Sequence, residues 1–318
     1  MAAKLKKGRV LLLFALTVGA IIAADNIRRD VISHPDNTII VTGSFKNSSA
    51  KGNSGSDSTL LGADNQPVQS STSGFSYLGY SETAIPAAQL SRGLLTLIDE
   101  THPAGDGIVT DTVNLADVKN EYYSLCREDL TLDRDAADAL NLMMADYNGA
   151  TELSDFVIYS TVQADTSEGS LCPAAFPESA AGTTIDLAIN GAYSMIEYDG
   201  ADTEAWVTDN CYKYGFIVRY PAEKEARSGK PRYIWHLRYV GPVHSSVMKQ
   251  NNLCLEEYLE WLKSYTIDNP LKYDLNGVSY EIYYTASLGD STPVRVPVSG
   301  SYTISGNNMD GFIVTAVK

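Results

Sequence analysis

The sequence is poor in the residues that metal, redox and nucleic-acid chemistry require. Only four of its 318 residues are histidine (His34, His102, His236, His244) and four are cysteine (Cys126, Cys172, Cys211, Cys254). A site of three histidines would consume nearly all of them. No two cysteines form a CxxC pair, which argues against a zinc knuckle or a thioredoxin-like centre. Lys and Arg total 24 against 39 Asp and Glu, a formal net charge of -15. Such a chain lacks the basic face on which a nucleic-acid partner depends. Long apolar runs are missing as well. The longest uncharged stretch of interest, residues 10–24 (VLLLFALTVGAIIAA), is short for a membrane-spanning helix, which needs roughly 17–25 residues.

What is present looks ordinary and globular, with 44% apolar and 20% charged residues. The length suits one medium domain with appendages or two small domains. In an exported chain the cysteines have enough members for two disulfides; as isolated small core residues they are equally well explained.

The start of the chain carries a targeting pattern. Lys4, Lys6, Lys7 and Arg9 precede the apolar stretch, as in an export signal. No clean A-x-A site follows, so an uncleaved anchor and a cleaved signal peptide both remain open, covering residues 1–29. Either way the basic end stays in the cytoplasm and the rest lies outside. Residues 30–84 read as a flexible linker, because 46–74 are rich in Ser, Gly and Asn.

Residues 85–266 hold the candidate main domain. Leu94–Ile98 (LLTLI), Phe156–Val162, Ile185–Ile189, Gly215–Tyr220 and Trp235–Val240 read as strands. Arg134–Tyr147 reads as a helix with Asp133 as N-cap and Asn148-Gly149 as its stop. Thr203–Tyr214 and Leu255–Tyr265 read as helices. This irregular mixture predicts an α+β fold rather than a parallel α/β repeat. From 267 to 318 short alternating runs separated by NG, GD and SG turns predict a C-terminal β-rich appendage of about four strands.

Three segments carry a resemblance. Trp206–Gly241 contains YGF, then RYP, then WHLRYVG. Residues 176–189 read FPESAAGTTIDLAI, and residues 92–103 read RGLLTLIDETHP. Together they resemble the VanY-type D-alanyl-D-alanine carboxypeptidases (peptidase family M15B), over about residues 85–262. The resemblance implies a small mixed or antiparallel sheet with flanking helices, the D,D-peptidase/hedgehog-like core. It also implies a Zn2+ ion held by His, Asp and His, with an open position for a polarised water. A Glu three residues before the last His serves the family as general base, and an Arg grips the substrate carboxylate.

Position by position, the second zinc ligand matches Asp186 and the last matches His236, beside Trp235. The first His falls on Ser179, the general base on Tyr233 and the Arg on Gln163. A phenol ordinarily ionises near pH 10 and makes a poor base at neutral pH; about 10 is its unperturbed value. A general base alone supplies typically about 10²–10⁴-fold, and even losses behind the ligands cost a metal site roughly 10–100-fold in affinity. The expectation is therefore a degenerate site, its Zn2+ weak or absent. Glu178 swinging in as a ligand, or His244 approaching, are the two available rescues. The bland readings stand beside these. Trp235 serves as core, His236 as a buried histidine or a ligand, Asp186 as a buried acceptor, Arg219 and Arg238 as structural or solvent-facing, and His102 as a loop residue.

Three functions follow. The first is a catalytically inactive, carboxypeptidase-like protein of the cell membrane surface, or a secreted one if the N-terminal segment is cleaved. It would bind peptidoglycan stem peptide or another extracellular peptide through a cleft that includes Gln163, Ser179 and Trp235. The second is an active zinc D,D-carboxypeptidase built on Asp186 and His236. The third is an adaptor acting through the C-terminal strands.

Overall fold

A computed structural model describes residues 79–105, 111–162 and 176–318. The N-terminal apolar segment, most of the linker, His34, Gln163 and Cys172 lie outside the described residues. Of the other cysteines, Cys211 and Cys254 are buried and in no disulfide. Among the described residues no helix is long and apolar enough to cross a membrane.

In chain order the strands are β1 (Tyr80–Pro86), β2 (Thr112–Asn114), β3 (Ser124–Leu125), β4 (Thr131–Asp133), β5 (Phe156–Ser160), β6 (Thr184–Asn190) and β7 (Met195–Glu197). They continue with β8 (Phe216–Tyr220), β9 (Tyr233–Tyr239), β10 (Leu271–Leu275), β11 (Val278–Ala286), β12 (Ser291–Pro297), β13 (Tyr302–Gly306) and β14 (Gly311–Val317). The central sheet runs β3-β5-β6-β9-β8, with β7 paired to β6. Its β3–β5 pair is parallel and the rest antiparallel. This is the α+β, mixed-sheet architecture that the sequence predicts.

The two faces of the central sheet differ in chemistry because side chains alternate along a strand. Ile185, Leu187, Ile189, Trp235, Leu237 and Tyr239 join the main hydrophobic core, against the Arg134–Thr151 helix. That helix is capped as expected: the Ala136 amide donates to Asp133 Oδ1 at 3.1 Å. It does not stop at Asn148-Gly149. It runs to Thr151 and ends on Glu152, whose φ of 63° supplies the left-handed turn. The apolar contacts of Tyr147 with Phe156 and Trp206 hold the last turns, so packing overrides the weak glycine signal.

On the opposite face lie Asp186, His236 and Arg238, which occupy alternate positions on two paired strands. A second core, formed by Leu95, Leu97, Ile217 and the Pro242–Asn251 and Leu255–Leu262 helices, continues into Ile282 and Ile313 of β11 and β14.

Two sequence expectations change here. Leu94–Ile98 is no strand. It is an irregular buried strap, whose amides are taken by the C-terminal strands and their turn: Leu95 N donates to Ser305 Oγ at 3.0 Å and Leu97 N to the Asn307 carbonyl at 3.0 Å. Its carbonyls receive Arg238, with Nη2 at 2.6 Å from Thr96 O and 3.2 Å from Leu94 O. An apolar run buried on both sides looks the same to periodicity whether or not its backbone joins a ladder. The linker expectation also gives way at its end, because residues 80–84 belong to β1, which pairs antiparallel with β12 along its full length.

The C-terminal strands form a four-stranded sheet, β10-β11-β14-β13. They share a hydrophobic core with the helices before them, and β12, outside that sheet, pairs with β1 from before the main domain. Truncation after residue 270 should therefore strip cover from Leu259, Leu262 and the strap. The truncated chain is expected to be aggregated or protease-sensitive, as read by limited proteolysis beside the full chain. A truncated chain with unchanged protease resistance and melting midpoint would contradict this packing.

Candidate functional site

The polar face of the sheet is assembled by register. β6 and β9 place Asp186 directly opposite His236, and directly opposed residues on neighbouring strands touch. Each outer neighbour is irregular at the same level. β5 shifts register between Ile158 and Ser160, and β8 between Val218 and Tyr220. Such bulges re-aim side chains. Here they deliver Ser160 to Asp186 and set Arg219 inside the protein. Glu178 and Ser179 come from the short Pro177–Ala181 turn, which closes on Gly182 at φ 69°.

Asp186 and His236 are turned on each other. His236 Nδ1 lies 2.6 Å from Asp186 Oδ1, and because an ionised carboxylate only accepts, Nδ1 carries the proton. The Ser160 hydroxyl donates to Asp186 Oδ2. On the far side of the imidazole, Nε2 is 3.4 Å from Glu178 Oε1, an ion-pair distance without an aligned hydrogen bond. Burial alone would lower the His236 pKa, but Asp186 and then Glu178 outweigh it and raise it above the ordinary histidine value.

Glu178 is not a free ligand. Its Oε2 accepts from Arg219 Nε at 3.0 Å and from Arg238 Nη1 at 2.7 Å, and its Oε1 accepts from the Tyr220 hydroxyl at 2.6 Å. Burial would raise its pKa. Arg219, His236 and Arg238 overcome that and hold the carboxyl well below the ordinary glutamate value. Arg219 continues outward to Glu256 Oε1 at 2.6 Å, at the start of the Leu255–Leu262 helix. Both arginines are fully buried, which excludes the solvent-facing alternative. Desolvated charges of this kind persist only when paired, and the two guanidinium groups face the carboxylates of Glu178 and Glu256.

An aromatic ring lies over the pair. Phe176 sits with its centroid 4.1 Å from that of His236, inclined by 34°. It also stacks on Tyr220 at 5.0 Å and meets Tyr233 edge-on at 5.2 Å. Tyr233, at the start of β9, is half-buried within this cluster. Trp235 is buried beside Tyr233 at 5.3 Å, as part of the main core. Ser179 is buried and its Oγ has no hydrogen-bond partner.

The residues expected to matter thus separate. Ser160, Glu178, Asp186, Arg219, His236 and Arg238 are brought together; Ser179 lies beside Glu178. His102 is a loop residue tied to Asp99 at 3.0 Å, and Gln163 is outside the described residues. His244 does not approach the site. Its Nδ1 lies 2.8 Å from the Tyr258 hydroxyl and its Nε2 3.0 Å from Thr315 Oγ1, between the Pro242–Asn251 helix and β14.

That position has a consequence for acid stability. Burial pushes the His244 pKa down from 6.5 to about 4. The folded state then resists a proton that the unfolded chain accepts, so stability is full above pH 6.5 and falls as pH drops toward 4. The loss amounts to roughly 3 kcal/mol at most, at about 1.36 kcal/mol per unit. Urea denaturation at pH 7 and pH 4.5 should show a difference that shrinks in His244→Gln. An equal difference in both proteins would contradict the assignment.

The fit of this donor set to zinc is poor. Among the described residues no three His, Cys, Asp or Glu side chains form a group that could hold a metal ion. Two candidate donors are spent on one another and the third candidate, Glu178, on two arginines and a tyrosine. Ser179 offers a neutral hydroxyl where the resemblance requires imidazole.

Comparison with known proteins agrees with the architecture. The VanY family, described as D-alanyl-D-alanine carboxypeptidase, matches residues 164–242. The chain is 33% identical over 248 residues to a D-alanyl-D-alanine carboxypeptidase of Enterococcus faecium, covering 74% of this chain and 78% of that protein. It is 47% identical over 49 residues to the bifunctional D-Ala-D-Ala dipeptidase and carboxypeptidase VanXYC of Enterococcus gallinarum, 15% of this chain and 26% of that one. Among solved structures, the vancomycin-resistance D,D-dipeptidase VanXYg, in complex with a D-Ala-D-Ala phosphinate analogue, superimposes with a TM-score of 0.65 at 26% identity. The match covers 75% of this chain and 99% of that one. On these grounds the chain belongs to the VanY-type D-alanyl-D-alanine carboxypeptidase family.

Proposed function

We propose that this chain is a catalytically silent member of its family, held at the cell surface, that binds peptidoglycan stem peptides or related extracellular peptides without cleaving them. One observation carries the reading. Asp186 and His236 hydrogen-bond to each other at 2.6 Å, while the positions that would complete a metal site and its base hold Ser179 and Tyr233. A water held without a metal or base has neither of the means that activate it in this class of chemistry. The zinc dependence of the family does not extend to this chain in the proposal.

The surface location rests on the basic n-region and apolar run at the N-terminus. It predicts that the full chain sediments with membranes in a cell fraction, or appears in the medium if the segment is cleaved. A chain found wholly in the cytoplasmic fraction would refute it.

The activity side has its own test. The purified full chain is incubated with a D-Ala-D-Ala-terminated pentapeptide, with and without added Zn(II), and released D-alanine is measured. The expected result is release at the level of the protein-free blank, with peptide binding detectable by calorimetry. Zinc-dependent release of D-alanine would support the alternative, an active zinc D,D-carboxypeptidase.

A further inference from the structure

The candidate site is shut in this form. His236 is wholly buried, Asp186 is 1% exposed, and Ser179 and Trp235 are each 3% exposed. A cleft that takes up a peptide has to present such groups to solvent before the ligand arrives. The ring that covers His236 is Phe176. It stands just before the Pro177–Ala181 turn, in extended backbone at φ -111° and ψ 129°. Its ring lies 4.1 Å, centroid to centroid, from that of His236, and the next closest aromatic pair among the described residues is at 4.9 Å. Its other ring neighbours are Tyr220 at 5.0 Å, Tyr233 at 5.2 Å and Trp235 at 5.8 Å. All four belong to β8 and β9, so Phe176 reaches over these strands from a separate segment. The contact lies toward solvent along β9: Tyr233 is half-buried, and Pro231 and Arg232 before it are exposed.

We propose that Phe176 is a built-in plug: its ring takes the place of a peptide over His236, and a stem peptide enters only when the ring has turned out. The inference rests on the peptide-binding reading and deepens it by naming what controls access to the site. The edges of the imidazole are already committed, with Nδ1 on Asp186 and Nε2 beside Glu178. That leaves its faces for an incoming group, and Phe176 lies over one of them. Four rings hold the plug down and make the open form the minor one. A minor form is typically populated at about 10% or less, and an affinity measured on the mixture is weakened by that fraction. The plain alternative is that Phe176 is a core side chain, since it also packs in the main hydrophobic cluster. The two readings differ in sign. Removing a core ring costs stability and gains no affinity, whereas removing a plug tightens the peptide complex.

The test compares the full chain with Phe176→Ala, using the D-Ala-D-Ala-terminated pentapeptide. Calorimetry is expected to show the variant binding about 10-fold or more tightly, the inverse of an open fraction of about 10% or less. Equal or weaker binding by a folded variant would overturn the plug. Because the variant can lose its fold along with the ring, the parent carries a second readout. Hydroxyl-radical footprinting with mass spectrometry reads the exposure of Phe176 itself. Its oxidation is expected to rise several-fold when saturating peptide is added, while Tyr258, buried in the second core, stays protected. Peptide that binds without raising the oxidation of Phe176 would overturn the plug and leave the peptide-binding reading in place. No binding by either protein, with Phe176 protected throughout, would overturn both.

Discussion

Glu178→Gln is expected to destabilise the protein by about 3–5 kcal/mol, the usual cost of removing one partner from a buried ion pair. Glu178 is the hub of the polar face, fully buried and bonded to Arg219, Arg238 and Tyr220. Glutamine keeps the shape and one acceptor oxygen but removes the charge that two buried guanidinium groups share. Arg238 then has no charged partner, only neutral acceptors such as the strap carbonyls and Thr96 Oγ1, and Arg219 keeps as its charged partner Glu256 at the partly exposed rim. A loss of this size is a large part of the 5–15 kcal/mol or so that stabilises a typical domain. Glu256→Gln, at that rim, should cost less than half as much, because Glu256 is itself partly exposed and Arg219 keeps its buried pair with Glu178. Urea titration of both variants beside the parent measures the difference. Equal and small losses would mean that the arginines are satisfied elsewhere and that Glu178 is no hub.

The second large effect concerns the metal. The double variant Ser179→His, Tyr233→Glu should bind Zn(II) at least about 100-fold more tightly than the parent, a change beyond the 10–100-fold typical of losses behind the ligands. Asp186 and His236 are already opposed by strand register, and Asp186 is already braced by Ser160. An imidazole at 179 supplies a neutral donor of the type zinc prefers. It competes for Asp186 and His236 against their mutual hydrogen bond, the Ser160 hydroxyl on Asp186 and the Glu178 carboxylate beside His236. The glutamate at 233 would stand where the resemblance places the general base. Calorimetric titration with Zn(II) reads the affinity, and unchanged weak binding would show that more than the missing donor separates this site from a metal centre.

Much of this was legible in the residues, though unevenly. The runs IDLAI and WHLRYVG announce β6 and β9, which carry Asp186 and His236, while the pairing of these two strands is written in neither segment and appears only in the fold. Ser179 and Tyr233 were visible as departures from that pattern by position alone. Three things were hidden. Leu94–Ile98 has the composition of a strand, but its amides bond to Ser305 and Asn307, more than 200 residues away, and no local signal reports that. Arg219 and Arg238 sit in alternating strands where an arginine ordinarily faces water, so their burial depends on Glu178, which arrives from a separate turn. Glu178 itself stands out in the sequence only by its place next to Ser179, which suggests a spare ligand. Only the two arginines, invisible from its own segment, show that its charge is already taken. β1 was lost to a compositional boundary, since Tyr80–Pro86 resembles the polar spacer before it and becomes a strand through β12.

In the proposed function a family scaffold persists here around a site too poor in donors to keep zinc. The most direct measurement is zinc content per chain, by elemental analysis of the full-length protein purified without chelator and equilibrated with Zn(II), run in parallel with the double variant. The expected result is far less than one zinc atom per parent chain and close to one per variant chain. One tightly held zinc per parent chain would contradict it.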